Sequence, residues 1–364
     1  LSGSSQHRFL GDIPGQKAAT ELLSSAIGSA RVASAYLFRG PMGVGKFAAA
    51  VDFVRWLKCD TPESCDASCH SCRLINSFNH PDLIIVIPLP TEISQSVNKT
   101  AAVLQQVAAD RFMELSFEKP ASIGIDEIRG LSERLALAPA RKGGRWAIIR
   151  DADMMTPEAA NAFLKTLEEP PKDAHLILTS SRPDFLFPTI RSRTQPVRFN
   201  RLSRAQITEM LISRDIEQKE AEKIALAAEG SITTALAMDD EQSGEIKKLG
   251  EELWVILFSK SDSAAIDLVE KLGRDRSLAR AVIASAMSFL RDHMLTQLGV
   301  AELVVNTEQK QRFMSAAQKF PNTEPLGNTI KFLQEKTDSL RFNPQYDLFW
   351  MDLIIRGRRI ASGR

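Results

Sequence analysis

No stretch of eighteen consecutive apolar residues occurs in these 364 residues, so no segment is expected to cross a membrane as a helix. Excess charge is also missing: 46 Lys and Arg face 45 Asp and Glu, for a formal net charge of +1. No global field therefore draws the chain to nucleic acid or to an acidic lipid surface. Any contact with DNA must come from a local patch or from assembly with other chains. The N-terminal LSGSSQHRFLG is polar and has no apolar core, which argues against a secretory signal and makes the cytosol the expected compartment. Low-complexity segments and internal repeats are lacking. Cysteine is lacking everywhere except residues 59–72, where all four fall. What is left is an ordinary globular composition, 44% hydrophobic and 25% charged, in a length that suits two or three domains with real cores.

Four short apolar runs have strand length: Ser34–Phe38, Leu83–Ile87, Trp146–Ile149 and His175–Thr179. Helical patterns alternate with them, such as Ile125–Leu137 with Ile128, Leu131 and Leu135 on one face. Thr156-Pro157-Glu158 reads as a helix start: a hydroxyl cap, proline in the first turn, then an acid at the positive end of the dipole. Alternating strands and helices imply a parallel α/β sheet over residues 1–200. After Asn200 the pattern is helical, with a small helical domain expected over 201–243 and a larger one over 244–364. Residues 88–121 form a connection too long for a compact α/β unit, with helical pattern around 100–114, and read as an insertion.

Two constellations carry chemistry. The first is GPMGVGK, Gly40 to Lys46, between a strand and a helix, which is the setting of a phosphate-binding loop. Gly40, Gly43, Gly45 and Lys46 suit a phosphate cradle, but Phe47 stands where a Ser or Thr hydroxyl would hold Mg²⁺. The second is Cys59, Cys65, Cys69 and Cys72, spaced C-x5-C-x3-C-x2-C. Disulfides are disfavoured in the cytosol, so these four thiols are expected to bind a structural zinc in a closed tetrahedral site. His70 and His80 lie close by in sequence and read as bystanders to a complete four-cysteine set.

Several further motifs come in one order: Gly15-Gln16, GPMGVGK, the cysteine knuckle, HPDL at 80–83, IDEIR at 125–129, NAFLKTLEEPP at 161–171 and PTIRSRT at 188–194. Together they resemble the bacterial DNA polymerase III clamp-loader subunits, the delta-prime and gamma/tau group of AAA+ proteins, over residues 8 to about 240. The resemblance implies an AAA+ P-loop-type parallel sheet with a zinc knuckle, a helical lid over 201–243 and an all-α collar over 244–364 that joins subunits into a ring of five. It also implies ATPase and delta subunits as partners, and a sliding clamp and primed DNA reached through the assembly. The cysteine spacing and the 88–121 insertion depart from the usual family pattern.

Four positions test whether the ATPase machinery is intact. Phe47 lacks the metal-binding hydroxyl. In active relatives an Asp-Glu pair stands eleven residues before the Asn of the NALLKTLEEP motif. Here that count from Asn161 reaches Arg150, followed by Asp151, and an Arg opposes a divalent cation. Gly230-Ser231-Ile232-Thr233 has Thr233 where active relatives place an Arg on the bound phosphates. Ser192-Arg193, by contrast, matches the family's trans arginine-finger motif, with Thr194 in place of Cys. Three cis elements are lost and the trans element is kept. That pattern favours the delta-prime type: a non-hydrolysing stator that binds ATP and Mg²⁺ weakly or not at all, and lends Arg193 to a neighbour's ATP. The competing readings are a gamma/tau-type motor ATPase and a zinc-bearing DNA-binding module acting alone. Lys165, Glu168 and Glu169 could face a neighbouring subunit or form a solvated helix face. Arg129, Arg134, Arg141, Lys142 and Arg145 give a local basic density that suits non-specific phosphate contacts or simply solvent.

Overall fold

The computed structural model describes residues 15–29, 31–61, 65–115, 117, 119–228, 230–238, 243–259, 261–273, 276–319, 322–340 and 344–363. The polar N-terminus and residues 239–242, beside the boundary expected at 243, lie outside these. The described chain forms two compact units, Leu1–Met113 with Ala121–Thr233, and Glu114–Pro120 with Thr234–Arg364. Among the described residues no helix is long and apolar enough to cross a membrane.

The first unit opens with helix α1 (Lys17–Gly28), strand β1 (Ala35–Arg39), α2 (Lys46–Lys58), α3 (His70–Asn76) and β2 (Leu83–Val86). Helices α4 (Thr91–Ser94) and α5 (Val97–Ala109) follow, then α6 (Ile125–Leu135), β3 (Arg145–Ile149), α7 (Pro157–Glu168), β4 (Ala174–Ser180), α8 (Pro188–Ser192) and β5 (Gln195–Arg198). Helices α9 (Arg204–Ile212) and α10 (Gln218–Ala227) follow, and the unit ends at Thr233, in the first turn of α11 (Ile232–Met238). The five strands form one parallel sheet in the order β2-β3-β4-β1-β5. Alternate side chains of each strand feed opposite faces. Leu37, Ala147, Ile149, Leu176 and Leu178 share one core with Ile128, Leu131 and Leu135 of α6 and Phe163 of α7. On the other face Tyr36, Phe53 of α2 and Trp146 meet edge to face, with ring centroids 5.6 Å apart at both contacts.

Helix α7 begins as its sequence requires: the Thr156 hydroxyl accepts from Ala159 N (3.2 Å) and proline occupies the first turn. Helix α6 ends at Leu135, two residues short of the expected limit, and Leu137 is exposed. Strand β5 went unread in the sequence because only Val197 of its four residues is buried. It is an edge strand beside β1, a position that tolerates Pro196. Within the 88–121 excursion the main helix spans Val97–Ala109 rather than 100–114. The ends of that excursion meet, Leu89 and Ser122 exchanging backbone hydrogen bonds of 3.0 and 3.1 Å.

The second unit is helical: α12 (Ser243–Leu257), α13 (Asp262–Leu272), α14 (Arg276–Gln297), α15 (Lys310–Lys319), α16 (Glu324–Ser339) and α17 (Tyr346–Ala361). Its core gathers Leu253 and Trp254, Phe289 and Leu290, Phe313, Leu333, and Trp350 and Leu353. Trp254 lies between the rings of Phe289 (6.0 Å, stacked) and Phe313 (5.1 Å, edge-on).

In the first unit, a buried ion pair connects three segments. Lys58, the last residue of α2, places Nζ 2.9 Å from Asp82 Oδ2, with both side chains almost fully shielded from water. Asp82 also accepts from Ala140 N (2.7 Å) and Arg141 N (3.0 Å), while Lys58 donates to Lys142 O (3.2 Å). Burial by itself would raise the Asp82 carboxyl, but the Lys58 ammonium and the two amides outweigh it and hold the group below the ordinary carboxylate range. Removing one partner strands the other, so Asp82→Ala is expected to lose about 3–5 kcal/mol in a urea unfolding titration. A depressed folded value means that this stabilisation is present above the unfolded carboxylate value, about 4, and is lost as pH falls through the folded value. The variant should therefore show a flatter acid limb of stability than the parent chain.

Candidate functional site: a glycine loop, an arginine and a cysteine cluster

The Gly40–Lys46 loop joins β1 to α2 at the carboxyl end of the sheet. Its glycines are required by crowding. A Cβ on Gly43 (φ +73°) would sit 2.0 Å from Ser231 Oγ, and one on Gly40 would sit 2.2 Å from the Phe199 carbonyl oxygen. Gly45 caps α2 in the left-handed region. The loop is closed from above by the start of α11, where Ile232 N and Thr233 N both donate to Gly43 O (2.8 and 3.2 Å).

Lys46 is buried, and its ammonium donates to Gly40 O (2.9 Å), Pro41 O (2.5 Å) and Ser181 Oγ (2.9 Å). Those three bonds use all three of its donors. A phosphate could take Lys46 only by displacing one of them. Burial pushes the Lys46 ammonium down to about 8 despite the nearby carboxylates of Asp151 and Asp153.

Arg150 follows the last residue of β3, where a metal-supporting acid would stand. It is buried, donates through Nη2 to Met113 O (2.5 Å), and lies 3.6 Å from Asp151 Oδ2. Its guanidinium lies 5.0 Å from the centroid of the Phe47 ring, which itself packs edge-on against Phe78. Phe47 is thus both core and support for a buried cation. Burial lowers Arg150 and raises Asp151, and the two charges partly offset each other's cost. Asp153 accepts from Ser180 Oγ (2.7 Å) and from Arg182 Nε (3.2 Å) and Nη2 (2.9 Å), so a carboxylate near the strand ends is already engaged on both oxygens. The sequence reading passed over it, although the Asp-x-Asp run at 151–153 is the signal. Thr233 donates through Oγ1 to Phe112 O (3.0 Å).

Arg193 sits at the C-terminal end of α8. Nη2 is 2.9 Å from Glu168 Oε1 of α7, and Nη1 donates to Thr189 O (3.2 Å). Its side chain is 38% exposed. Ser192 Oγ donates to the same Thr189 carbonyl (3.1 Å), while Thr194 is buried against Ile190 O. The structure therefore brings Gly40, Gly43, Gly45 and Lys46 together with Arg150, Asp151 and Thr233. Ser192 and Arg193 are presented at the surface, held by their own helix and by Glu168.

The four cysteines gather just beyond α2, about 20 Å from Lys46 by the length of that thirteen-residue helix. Their sulfur atoms lie within 4.8 Å of one another, with Cys59–Cys69 and Cys65–Cys72 at 3.9 Å. These thiols are free. A tetrahedron of sulfurs at the zinc–thiolate distance of about 2.3 Å has edges of about 3.8 Å, so the donor set fits such an ion. Cys69 caps α3 by accepting from Cys72 N (3.4 Å), which places both sulfurs on one turn. The Cys69 amide lowers the Cys65 thiol to about 7, while burial raises Cys59 to about 11 and Cys72 further. His70 is exposed, and His80 is buried with Nδ1 accepting from Asp82 N (3.1 Å). Neither belongs to the sulfur group.

The basic density of the 129–145 region mostly resolves into structure. Arg145 is buried and donates to Ala138 O (2.8 Å), and Arg141 pairs with Asp60 (3.0 Å). The exposed Arg129 lies 3.8 Å from Asp126.

A parallel five-stranded sheet with a glycine loop between β1 and α2, a second loop of polar residues at the ends of β3 and β4, and helices after β5 define an AAA+-type α/β domain. Residues 15–203, more than half of the chain, match the family model described as DNA polymerase III, delta subunit. The chain belongs to the DNA polymerase III delta-prime and gamma/tau clamp-loader family. It is 32% identical over 207 residues to DNA polymerase III subunit delta' of Bacillus subtilis, a match covering 56% of this chain and 54% of that protein. With subunit tau of the same organism it shares 26% identity over 373 residues, 95% of this chain and 60% of that protein. The chain thus spans a little over half the length of these relatives. A solved DNA polymerase III gamma subunit-related protein from Thermotoga maritima is 18% identical, with 93% of this chain and 99% of that one covered and a TM-score of 0.43.

One metal ion per chain is expected by elemental analysis of protein purified without added zinc. Cys72→Ser should abolish that stoichiometry, because the remaining three sulfurs leave the site open. A chelator should lower the thermal midpoint of the parent chain and leave that of the variant unchanged.

Proposed function

We propose that this chain is a non-hydrolysing stator subunit of a replicative sliding-clamp loader. In this reading it donates Arg193 to the ATP site of a neighbouring ATPase subunit while the clamp is loaded onto primed DNA. Its partners would be ATPase and delta subunits in a ring of five, with the helical region beyond 243 as the joining collar, and its compartment the cytoplasm. The observation that carries this reading is a contrast of two sites. Lys46 is fully engaged by Gly40 O, Pro41 O and Ser181 Oγ beside the buried Arg150, whereas Arg193 is displayed on the surface.

The chemistry follows from the residues present. A hydrolytic site needs a cation bridging phosphate oxygens and an acid to support it. Here Phe47 offers no oxygen, and Arg150 puts a positive charge where the cation would stand. In trans, a guanidinium can bridge two oxygens of a transferring phosphoryl group through parallel N–H donors. The Arg193–Glu168 pair is half in solvent, so it is worth at most about 1 kcal/mol and yields readily to a phosphate. Glu168 then serves to park the guanidinium at the surface before assembly. In the four-cysteine module, zinc would have Cys59, Cys65, Cys69 and Cys72 as ligands and would stabilise the fold, leaving no position for water.

The second reading, a gamma/tau-type motor subunit, has the 95% coverage by subunit tau in its favour. Titration calorimetry with MgATP separates the two. No heat up to millimolar nucleotide is expected, whereas micromolar, magnesium-dependent binding would make this chain a motor. In a reconstituted loader, Arg193→Ala is expected to slow hydrolysis at the site it completes by about 10³-fold or more. Arg193→Lys should not restore it, because an ammonium lacks the planar fork. Unchanged turnover in both variants would reject the finger role.

A further inference from the structure

The long excursion between β2 and α6 has no part in the function proposed above, and it ends in an ordered contact set. After α5, Asp110 Oδ1 accepts from Phe112 N (2.8 Å) and turns the chain. Arg111 then reaches back to two helices, donating through Nη1 to the buried Asp52 of α2 (2.7 Å) and through Nη2 to Asn76 of α3 (2.5 Å). The next two carbonyls are thereby presented to the loop region. Phe112 O accepts from Thr233 Oγ1 (3.0 Å), and Met113 O accepts from Arg150 Nη2 (2.5 Å). The Phe112 ring lies 5.8 Å from the Arg214 guanidinium, in the turn between α9 and α10.

We propose that residues 110–113 are a built-in strap that takes the bridging place of a nucleotide, holding the carboxyl end of the sheet and the start of α11 together without a ligand. In a working phosphate-loop site the loop lysine and the metal held by a supporting acid converge on bound phosphates, so the nucleotide is what joins them. In this chain the residues at the changed positions converge on the strap. Arg150 donates to Met113 O, Thr233 donates to Phe112 O, and Phe47 supports the Arg150 guanidinium from below. A phosphate oxygen and a peptide carbonyl are both acceptors, so donors suit either. The strap supplies two neutral acceptors in a row, which need neither Mg²⁺ nor a second positive charge. Its anchor is strong because Asp52, buried and paired also with Arg55 (2.9 Å), receives Arg111 in a shielded site. The inference goes beyond the stator reading, since a strapped domain is a property of the isolated chain whatever its place in an assembly.

Hydrogen exchange on the isolated chain tests it without nucleotide. The amides of Ile232 and Thr233, bonded to Gly43 O, report closure of the loop. Arg111→Ala is expected to speed exchange at least tenfold both at residues 112–113 and at 232–233, with amides of β1 and β4 unchanged. Faster exchange confined to 112–113, or none at either place, would overturn the proposal. Should the β1 and β4 amides also speed up in that variant, the destabilisation is global and Thr233→Val decides. Valine keeps the volume and loses only the donor to Phe112 O. It should speed exchange at 232–233 several-fold while the sheet stays protected, and unchanged protection at 232–233 in this variant would equally reject the strap.

Discussion

The buried pair between Lys58 and Asp82 is the constraint on which the layout of the first unit depends. Lys58 ends the helix that begins at the glycine loop, and it immediately precedes the first cysteine of the cluster. Asp82 begins the turn into β2 and binds the amides that lead toward β3. One charge pair therefore sets the far end of α2, the entry to two parallel strands and the base of the cysteine module. Ser71 extends the connection by donating from Oγ to Lys58 O (2.5 Å), so α3 and its two sulfurs hang from the same point. A pair this deeply buried is poor value as stabilisation taken alone, since two hydrophobic residues could pack as well. Its use lies in direction: a carboxylate with four acceptor positions can hold three segments at fixed angles, which apolar contact cannot do.

The opposite end of α2 shows the same physics turned to another purpose. A phosphate loop ordinarily gathers positive groups around a space kept for anions. Here the protein's own groups engage those positions. The loop's own carbonyls take Lys46, α11 closes on Gly43, and the cation at the end of β3 belongs to the protein. Arg150 is tolerable in that position because it has an aromatic face beneath it, a carbonyl before it and a carboxylate beside it. The change at Phe47 and the change at Arg150 are thus one substitution in physical terms, each making sense of the other.

Much of this was legible in the residues, and the failures have physical reasons. The central strands were readable because both faces of β1, β3 and β4 are buried, giving runs such as WAII that only a covered sheet permits. Helix α7 was readable from its cap, a local signal that tertiary packing did not override. The cysteine cluster was readable because thiols so concentrated have few other uses. Strand β5 was not readable, because at an edge the pairing is backbone to backbone and three of its four side chains face water. The strap could not be read either. Its contacts run through the carbonyls of Phe112 and Met113, which every residue carries, and its anchor joins Arg111 to Asp52, 59 positions away. The basic density around 129–145 was only partly legible for a related reason: charge counts in sequence do not reveal that Arg145 is turned inward onto Ala138 O and Asp82.

The locked loop and the displayed arginine belong together as an argument about states. A ligand shifts a conformational equilibrium only by its differential affinity for the two conformations. If the domain binds no nucleotide, as proposed, its loop, strand ends and α11 are joined by its own groups alone, and it would offer its partners one geometry throughout a cycle. In that reading an arginine that completes another subunit's site gains from the constancy. Catalysis in trans depends on placing the guanidinium within a few tenths of an ångström of the phosphoryl oxygens, and movement of its own platform would be lost as rate. The platform here is short and stiff: α8 is a single turn begun by Pro188, its Ile190 is fully buried in the sheet's core, and α7 supplies Glu168 from a helix capped at its start. On the proposed reading, the bonds that engage Lys46 and Arg150 at one end of the sheet and those that hold Arg193 at the surface are two sides of one design, a domain that would contribute position rather than turnover.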